Sequence, residues 1–266
     1  MVSSNGRLML AAYDLRKWLN LDDLARLVAG VCKVGGFVPL EHLPHGPEDQ
    51  ANSMDLDQAL NLLQDSWHEN LKEYEREPLL PEVVGRVYVH LRHPCLQRVS
   101  ENIGLAEYSL RLTATEYVED LKTLAISVDM RPRAGEPDSG LAECEEPVAQ
   151  GYVRAGKFLA SHFSPLYLWI AEVEDAGLWP QRSEITSNGL PGWYWATYVT
   201  EQLMKPRDRE ILDSIAPVTV EHIGEGFWVQ VTEQFSLEKA ERLQVVSQFD
   251  ELLNQLGPAK IHWKAD

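Results

Sequence analysis

The sequence predicts an α+β fold: helices packed on a largely antiparallel sheet, with a division into two α/β subdomains left open. Three observations carry this. Runs of period-two, β-branched character fill 84–130 and 218–233. Amphipathic stretches with capping residues lie between and around them. The order of elements after position 147 reads α-β-β-α-β-β-α, which places helices in a layer on a sheet of hairpins.

The elements follow in order. "RLMLAAY" (7–13) is a short buried strand, because its apolar run is too short for a helix. Asn20 can cap the next helix, with Asp22 and Asp23 at its positive end, and Leu24, Leu27, Val28 and Val31 on one face. Gly35-Gly36 end it. After a Pro/His/Gly-rich connector (39–50), Ser53 or Asp55 opens a longer helix to about Arg76. Its apolar stripe is Leu56, Leu60, Leu63 and Trp67, and Pro78 stops it. "VGRVYVHL", "AEYSLRLTA" and "LAISVDM" are strands.

The segment 131–147, "RPRAGEPDSGLAECEEP", reads as an exposed loop on its prolines, glycines and acids. It divides the chain into an N-terminal α+β half (1–133), an acidic connecting loop (134–147) and a C-terminal half (148–266). A helix over 148–163 and the strand "LYLWIAEVE" (166–174) follow. "WYWATYV" is a further strand, with Trp193, Trp195, Thr197 and Val199 on one face and Tyr194, Ala196 and Tyr198 on the other. Both faces are mostly apolar, which favours core packing over recognition for these aromatics. A short helix from about Pro206 to Ile215 leads to a hairpin around Gly224-Glu225-Gly226. Ser236 caps the last helix.

Charge is the unusual feature. The 24 Lys and Arg face 41 Asp and Glu, a formal net charge of −17. Such a surface repels nucleic acid and anionic membranes and attracts basic partners at long range. Between Ala134 and Ile185 the acids are Glu136, Asp138, Glu143, Glu145, Glu146, Glu172, Glu174, Asp175 and Glu184, opposed only by Arg154, Lys157 and Arg182. Two clusters fall on expected loops or strand ends: Glu143, Glu145 and Glu146, then Glu172, Glu174 and Asp175 with Trp179 beside them. An acid next to an aromatic can engage a basic cleft, the charge steering the encounter and the ring anchoring it. These seven residues are the candidate partner-binding set, and a merely solvated acidic loop is the competing reading of them.

No chemistry-bearing motif is complete. His90, His93 and Cys95 cluster in "HLRHPC" without a second cluster at zinc spacing, and "SWHEN" lacks the second histidine of a helical zinc site. "GVCKVGG" has neither P-loop nor dinucleotide-loop spacing, and no GxSxG occurs. "PDSGLAECEEP" begins like a carboxylate-lysine nuclease signature but has no lysine to complete it. Cys32, Cys95 and Cys144 are dispersed and odd in number, which fits a reducing compartment. No signal peptide or membrane span is visible. The expectation is a cytoplasmic binding protein without metal, cofactor or catalytic residues.

"GWYWATYVTEQL" and "VTVEHIGEGFWVQVTEQFSLEKAERLQVVSQFDELL" resemble the C-terminal part of bacterial polymorphic-toxin immunity proteins. These are the type VI secretion immunity factors partnered with toxins of restriction-endonuclease-like fold. "LMLAAYDLRKWLNLDDLARLV" resembles their opening strand and helix, without the tryptophan expected near Tyr13. The likeness covers the C-terminal region well and the middle of the chain poorly. It implies an immunity protein that binds one cognate toxin, a nuclease with a basic surface, and brings no active-site residues with it. The competing expectation is a hydrolase or metal-dependent enzyme with a site assembled from His90, His93 and dispersed acids.

Overall fold

Strand β1 (Leu8–Leu15) lies in the middle of a nine-stranded sheet, paired with β5 (Leu124–Pro132) on one side and β6 (Pro165–Glu172) on the other. The computed structural model describes residues 8–15, 21–39, 54–64, 86–92, 108–116, 124–132, 141–172, 192–204, 210, 212, 219–235, 247 and 260–261. The remaining strands of the sheet are β2 (Val38–Pro39), β3 (Arg86–Arg92), β4 (Tyr108–Glu116), β8 (Ala196–Thr200), β9 (Thr219–Ile223) and β10 (Gly226–Gln230). Their order is β2-β3-β4-β5-β1-β6-β8-β10-β9, and every neighbouring pair is antiparallel. Two short strands, β7 (Gly192–Trp193) and β11 (Lys260–Ile261), pair in parallel apart from it. With helices packed on and beside this sheet, the fold is α+β.

Residues 8–12 are all buried, as an apolar run without alternation requires of a strand covered on both faces. Leu10 sits opposite Met130 on one side and Ile170 on the other, so β1 joins strands from both halves of the chain into one sheet. Across the C-terminal strands the register aligns Ala12, Leu168, Tyr198, Trp228 and Glu221 in one row. Helix α3 (Leu141–Phe163) covers that face: the Lys157 ammonium bonds Glu221 at 2.6 Å and lies 5.8 Å from the Trp228 ring centre. On the opposite face Tyr13 stacks on Tyr167, and Trp169 stacks on Tyr194 with 4.7 Å between ring centres. The Trp169 indole N–H donates to the Tyr13 hydroxyl at 3.3 Å.

Helix α1 (Leu21–Gly35) buries Leu24, Leu27, Val28 and Val31 as its periodicity requires. Gly36 closes it at φ 78°, a left-handed conformation that glycine adopts without strain, and both Gly36 and Phe37 N–H groups donate to the Cys32 carbonyl. Helix α2, described over 56–64, opens on Asp55. Its carboxylate accepts the Gln58 N–H at 2.8 Å, while the Gln58 side chain accepts the Asp55 N–H at 2.9 Å. This reciprocal cap identifies Asp55 rather than Ser53 as the start. Leu63 is buried and Leu60 half-buried, but Leu56 is exposed and leaves the expected stripe. The continuation of this helix to Arg76 lies outside the described residues, as do most of the helix from Pro206 and nearly all of the last helix.

Two expectations are corrected. The acidic connecting loop does not extend to residue 147, because α3 already begins at Leu141. Proline at position 147 misled the reading. Its missing N–H forfeits one helical hydrogen bond, at a cost of about 3 kcal/mol in a helix interior. That cost is offset by acids near the positive end of the helix and by Val148, Ala149 and Tyr152, which are buried just beyond. Pro147 itself is exposed. The second correction concerns "WYWATYV", which is not one strand. The Tyr194 N–H donates to the Thr197 hydroxyl at 3.0 Å, which bends the chain at Tyr194 and Trp195 and separates β7 from β8. Trp193, Tyr194 and Trp195 are nonetheless all buried, so their packing role stands.

The closest helix contact is between α1 and α3. A Cβ on Gly151 would lie 2.6 Å from the Gly35 carbonyl oxygen, so the two backbones touch. Arg154 donates from Nε to the Val34 carbonyl at 2.7 Å and from Nη2 to that of Gly35 at 3.3 Å, satisfying acceptors at the end of α1. Gly151→Ala should therefore lower the unfolding free energy by about 1–3 kcal/mol, since backbone must move to admit the methyl group. Trp195→Ala should cost about 3–5 kcal/mol. Urea titrations check both, and an unchanged midpoint in either variant would contradict this packing.

Candidate partner-binding surface

Of the seven acidic and aromatic candidates, Glu143, Glu145, Glu146 and Glu172 fall on described elements. Glu143 and Glu145 lie in the first two turns of α3, and Glu172 ends β6 opposite Leu8. Glu174, Asp175 and Trp179 lie outside the described residues. Glu146 is half-buried. One carboxylate oxygen accepts the Gln150 amide at 2.6 Å, and the other accepts the Phe235 backbone N–H at 2.9 Å. Gln150 also donates to the Glu233 carbonyl at 2.9 Å. Together they hold the segment after β10 against α3, and Phe235 then sets its ring edge-on to Trp195 at 4.9 Å. Glu146 is thus committed to holding the fold, a role its place in an acidic run did not signal.

The structure instead gathers other acids at the tip of the β9–β10 hairpin. Gly224 and Glu225 form the two-residue turn, with Gly224 at φ 58° in the first central position, as a type II′ turn requires. The Glu201 N–H, in a single 3-10 turn (Glu201–Leu203) after β8, donates to the Glu225 carbonyl at 3.1 Å. Two exposed carboxylates are thereby held on adjacent backbone. His222 lies 3.4 Å from Glu201, while Glu221 is occupied by Lys157. Sequence spacing hides this grouping, because Glu201 and Glu225 meet only through the pairing of β8 with β10.

A second feature is a groove of about 830 Å³ between α1, the head of α2 and the tail of α3. Its apolar lining includes Met54, Leu56, Phe158 and Phe163. Phe158 is seated directly over Gly30, where a Cβ would fall 1.9 Å from the ring, and its ring lies 4.5 Å from that of His162. Arg26 and Lys33 line the groove from α1. The polar face of α1 was the only signal for it in the sequence, and that face alone does not reveal which helices meet there.

Chemistry at the described residues is limited. Burial pushes the Cys32 thiol up to about 12, so it stays protonated and is a packed core group rather than a nucleophile. His90 lies on β3, and His93 and Cys95 fall outside the described residues. Among the described residues, no group of three or more His, Cys, Asp or Glu side chains could hold a metal ion, and no helix is long and apolar enough to cross a membrane.

Glu146→Ala should destabilise the fold by about 1–3 kcal/mol, because it strips acceptors from the Phe235 N–H and the Gln150 amide. Glu225→Ala should change stability by no more than about 0.5 kcal/mol, as an exposed turn residue. Paired thermal and urea unfolding distinguishes the two, and equal behaviour would remove the structural assignment of Glu146. No protein-family model, curated protein or solved structure matches this chain.

Proposed function

We propose that this chain is an immunity protein: it binds a cognate type VI secretion nuclease toxin in the cytosol and neutralises it without catalysis of its own. The observation that carries the reading is the net charge of −17. A nuclease presents basic groups to its phosphate substrate, so a strongly acidic protein is drawn to the surface the toxin needs for DNA. The likeness of the C-terminal segments to immunity factors supports the same reading. So do the exposed residues Glu201 and Glu225, held together on a short turn.

Neutralisation then needs only occupancy. A protein seated across the basic cleft excludes the nucleic acid, whether it covers the active site itself or blocks productive assembly. Glu143 and Glu145, near the start of α3, join the hairpin acids as steering charges, with Trp179 as the anchoring ring.

Co-expression with the product of the adjacent gene tests this. The two proteins should co-purify, and the mixture should lose nuclease activity as the acidic chain is added. The double variant Glu201→Lys and Glu225→Lys should slow association and flatten the salt dependence of the on-rate, since exposed charges act through fields screened over about 8–10 Å. Stopped-flow kinetics at two salt concentrations provides the readout. Retained nuclease activity at saturating acidic protein would refute the reading, as would about one tightly held metal ion per chain accompanied by hydrolase activity.

A further inference from the structure

We infer that strand β9, at the edge of the nine-stranded sheet, takes up an extended basic segment of the toxin as a further strand. The inference rests on the toxin-binding reading above and adds the mode of contact, which the acidic charge alone does not give. The two edges of the sheet differ. At one end β2 has only two residues, and its Pro39 has no N–H to offer a further strand. At the other end β9 runs for five residues without proline (Thr219–Ile223), half-buried except for the exposed His222.

The phase of the ladder tells which backbone groups of β9 face outward. In an antiparallel sheet, successive residues of a strand bond alternately to one neighbour and the other. The Glu201 N–H donates to the Glu225 carbonyl and the Val231 N–H to the Trp195 carbonyl, so the odd-numbered residues of β10 bond towards β8. Gly226, Trp228 and Gln230 therefore bond towards β9, where they meet Ile223, Glu221 and Thr219. Val220 and His222 are left with N–H and C=O groups directed away from the sheet, and these have no partner among the described residues. Main-chain bonds to such groups carry the affinity when a partner strand adds to a sheet edge.

Charge selects the strand that fits. Glu201, Glu221 and Glu225 lie on or beside this hairpin, and Lys157 is the one Lys or Arg that the described residues bring to it. Protonation of His222, which lies 3.4 Å from Glu201, still leaves this set acidic. Pairing of β9 with its copy in full antiparallel register would set Glu221 opposite the Glu221 of the second copy, and would bring together two chains of −17. Like charges directly opposite each other destabilise a sheet. A segment carrying lysine or arginine meets neither obstacle, and its backbone supplies what Val220 and His222 lack.

Amide hydrogen exchange, read residue by residue by NMR with the product of the adjacent gene as probe, tests the inference. In the free chain the Glu221 and Ile223 amides should exchange slowly and those of Val220 and His222 quickly. Binding should slow Val220 and His222 by about tenfold or more, since only these two gain bonds. Val220→Pro removes an outward N–H and no bond to β10, so it should weaken binding about tenfold, mainly through faster dissociation, at an unchanged melting temperature. The exchange pattern needs no substitution and decides the matter even where that variant folds poorly. Binding that leaves Val220 and His222 unprotected overturns the inference while leaving the toxin reading intact. Protection that grows with the concentration of the free chain, with a dimer in sedimentation, identifies a second copy as the occupant and also overturns it. Absence of binding by the unaltered protein overturns both readings.

Discussion

The rest of the structure depends on how closely α3 approaches what lies beneath and beside it. At Gly151 its backbone touches the end of α1, and at Gly156 a Cβ would fall 2.7 Å from the Trp228 ring. Helices normally stand 8–10 Å apart at distances set by their side chains, so missing side chains at the crossing allow a tighter fit. Because α3 lies this low, Lys157 reaches Glu221 on the edge-ward strand β9, and Arg154 reaches the carbonyls that end α1. The same helix contributes Glu146, which fixes the segment beyond β10. One element thus joins α1, the sheet face and the segment that positions Phe235.

The groove and the acidic hairpin tip follow from that arrangement. The groove exists because Phe158, near the C-terminal end of α3, rides over Gly30 instead of being buried beneath a larger side chain. The acidic tip exists because the hairpin turn projects past the end of β8, where Glu201 and Glu225 share a backbone hydrogen bond.

Much of the fold was legible because local chemistry and global packing agree. The β1 run, the Leu24–Val31 stripe of α1 and the turn at Gly224 each need no distant partner to be recognised. The misread places are those where a tertiary interaction overrides a local signal. Pro147 reads as a breaker, yet downstream burial and near-terminal acids carry the helix through it. "WYWATYV" alternates like a strand, but the Thr197 hydroxyl takes an N–H that a ladder would use. The candidate surface was less legible still. Glu146 belongs to an acidic run in sequence and to a buried junction in space. Glu201 and Glu225 are neighbours only through strand pairing, and Leu56 lost its place in a stripe because it occupies the first turn beside an open groove.

The central position of β1 has a consequence for the order of events during synthesis. This strand is made well before its neighbours β5 and β6, whose last residues are Pro132 and Glu172. Until Leu124–Pro132 has been made, its apolar residues have no strand to pair with in the native sheet. At elongation rates of about 5–20 residues per second, that interval lasts several seconds or longer. Closing the sheet on β1 is then a late, long-range step, the kind that slows folding most.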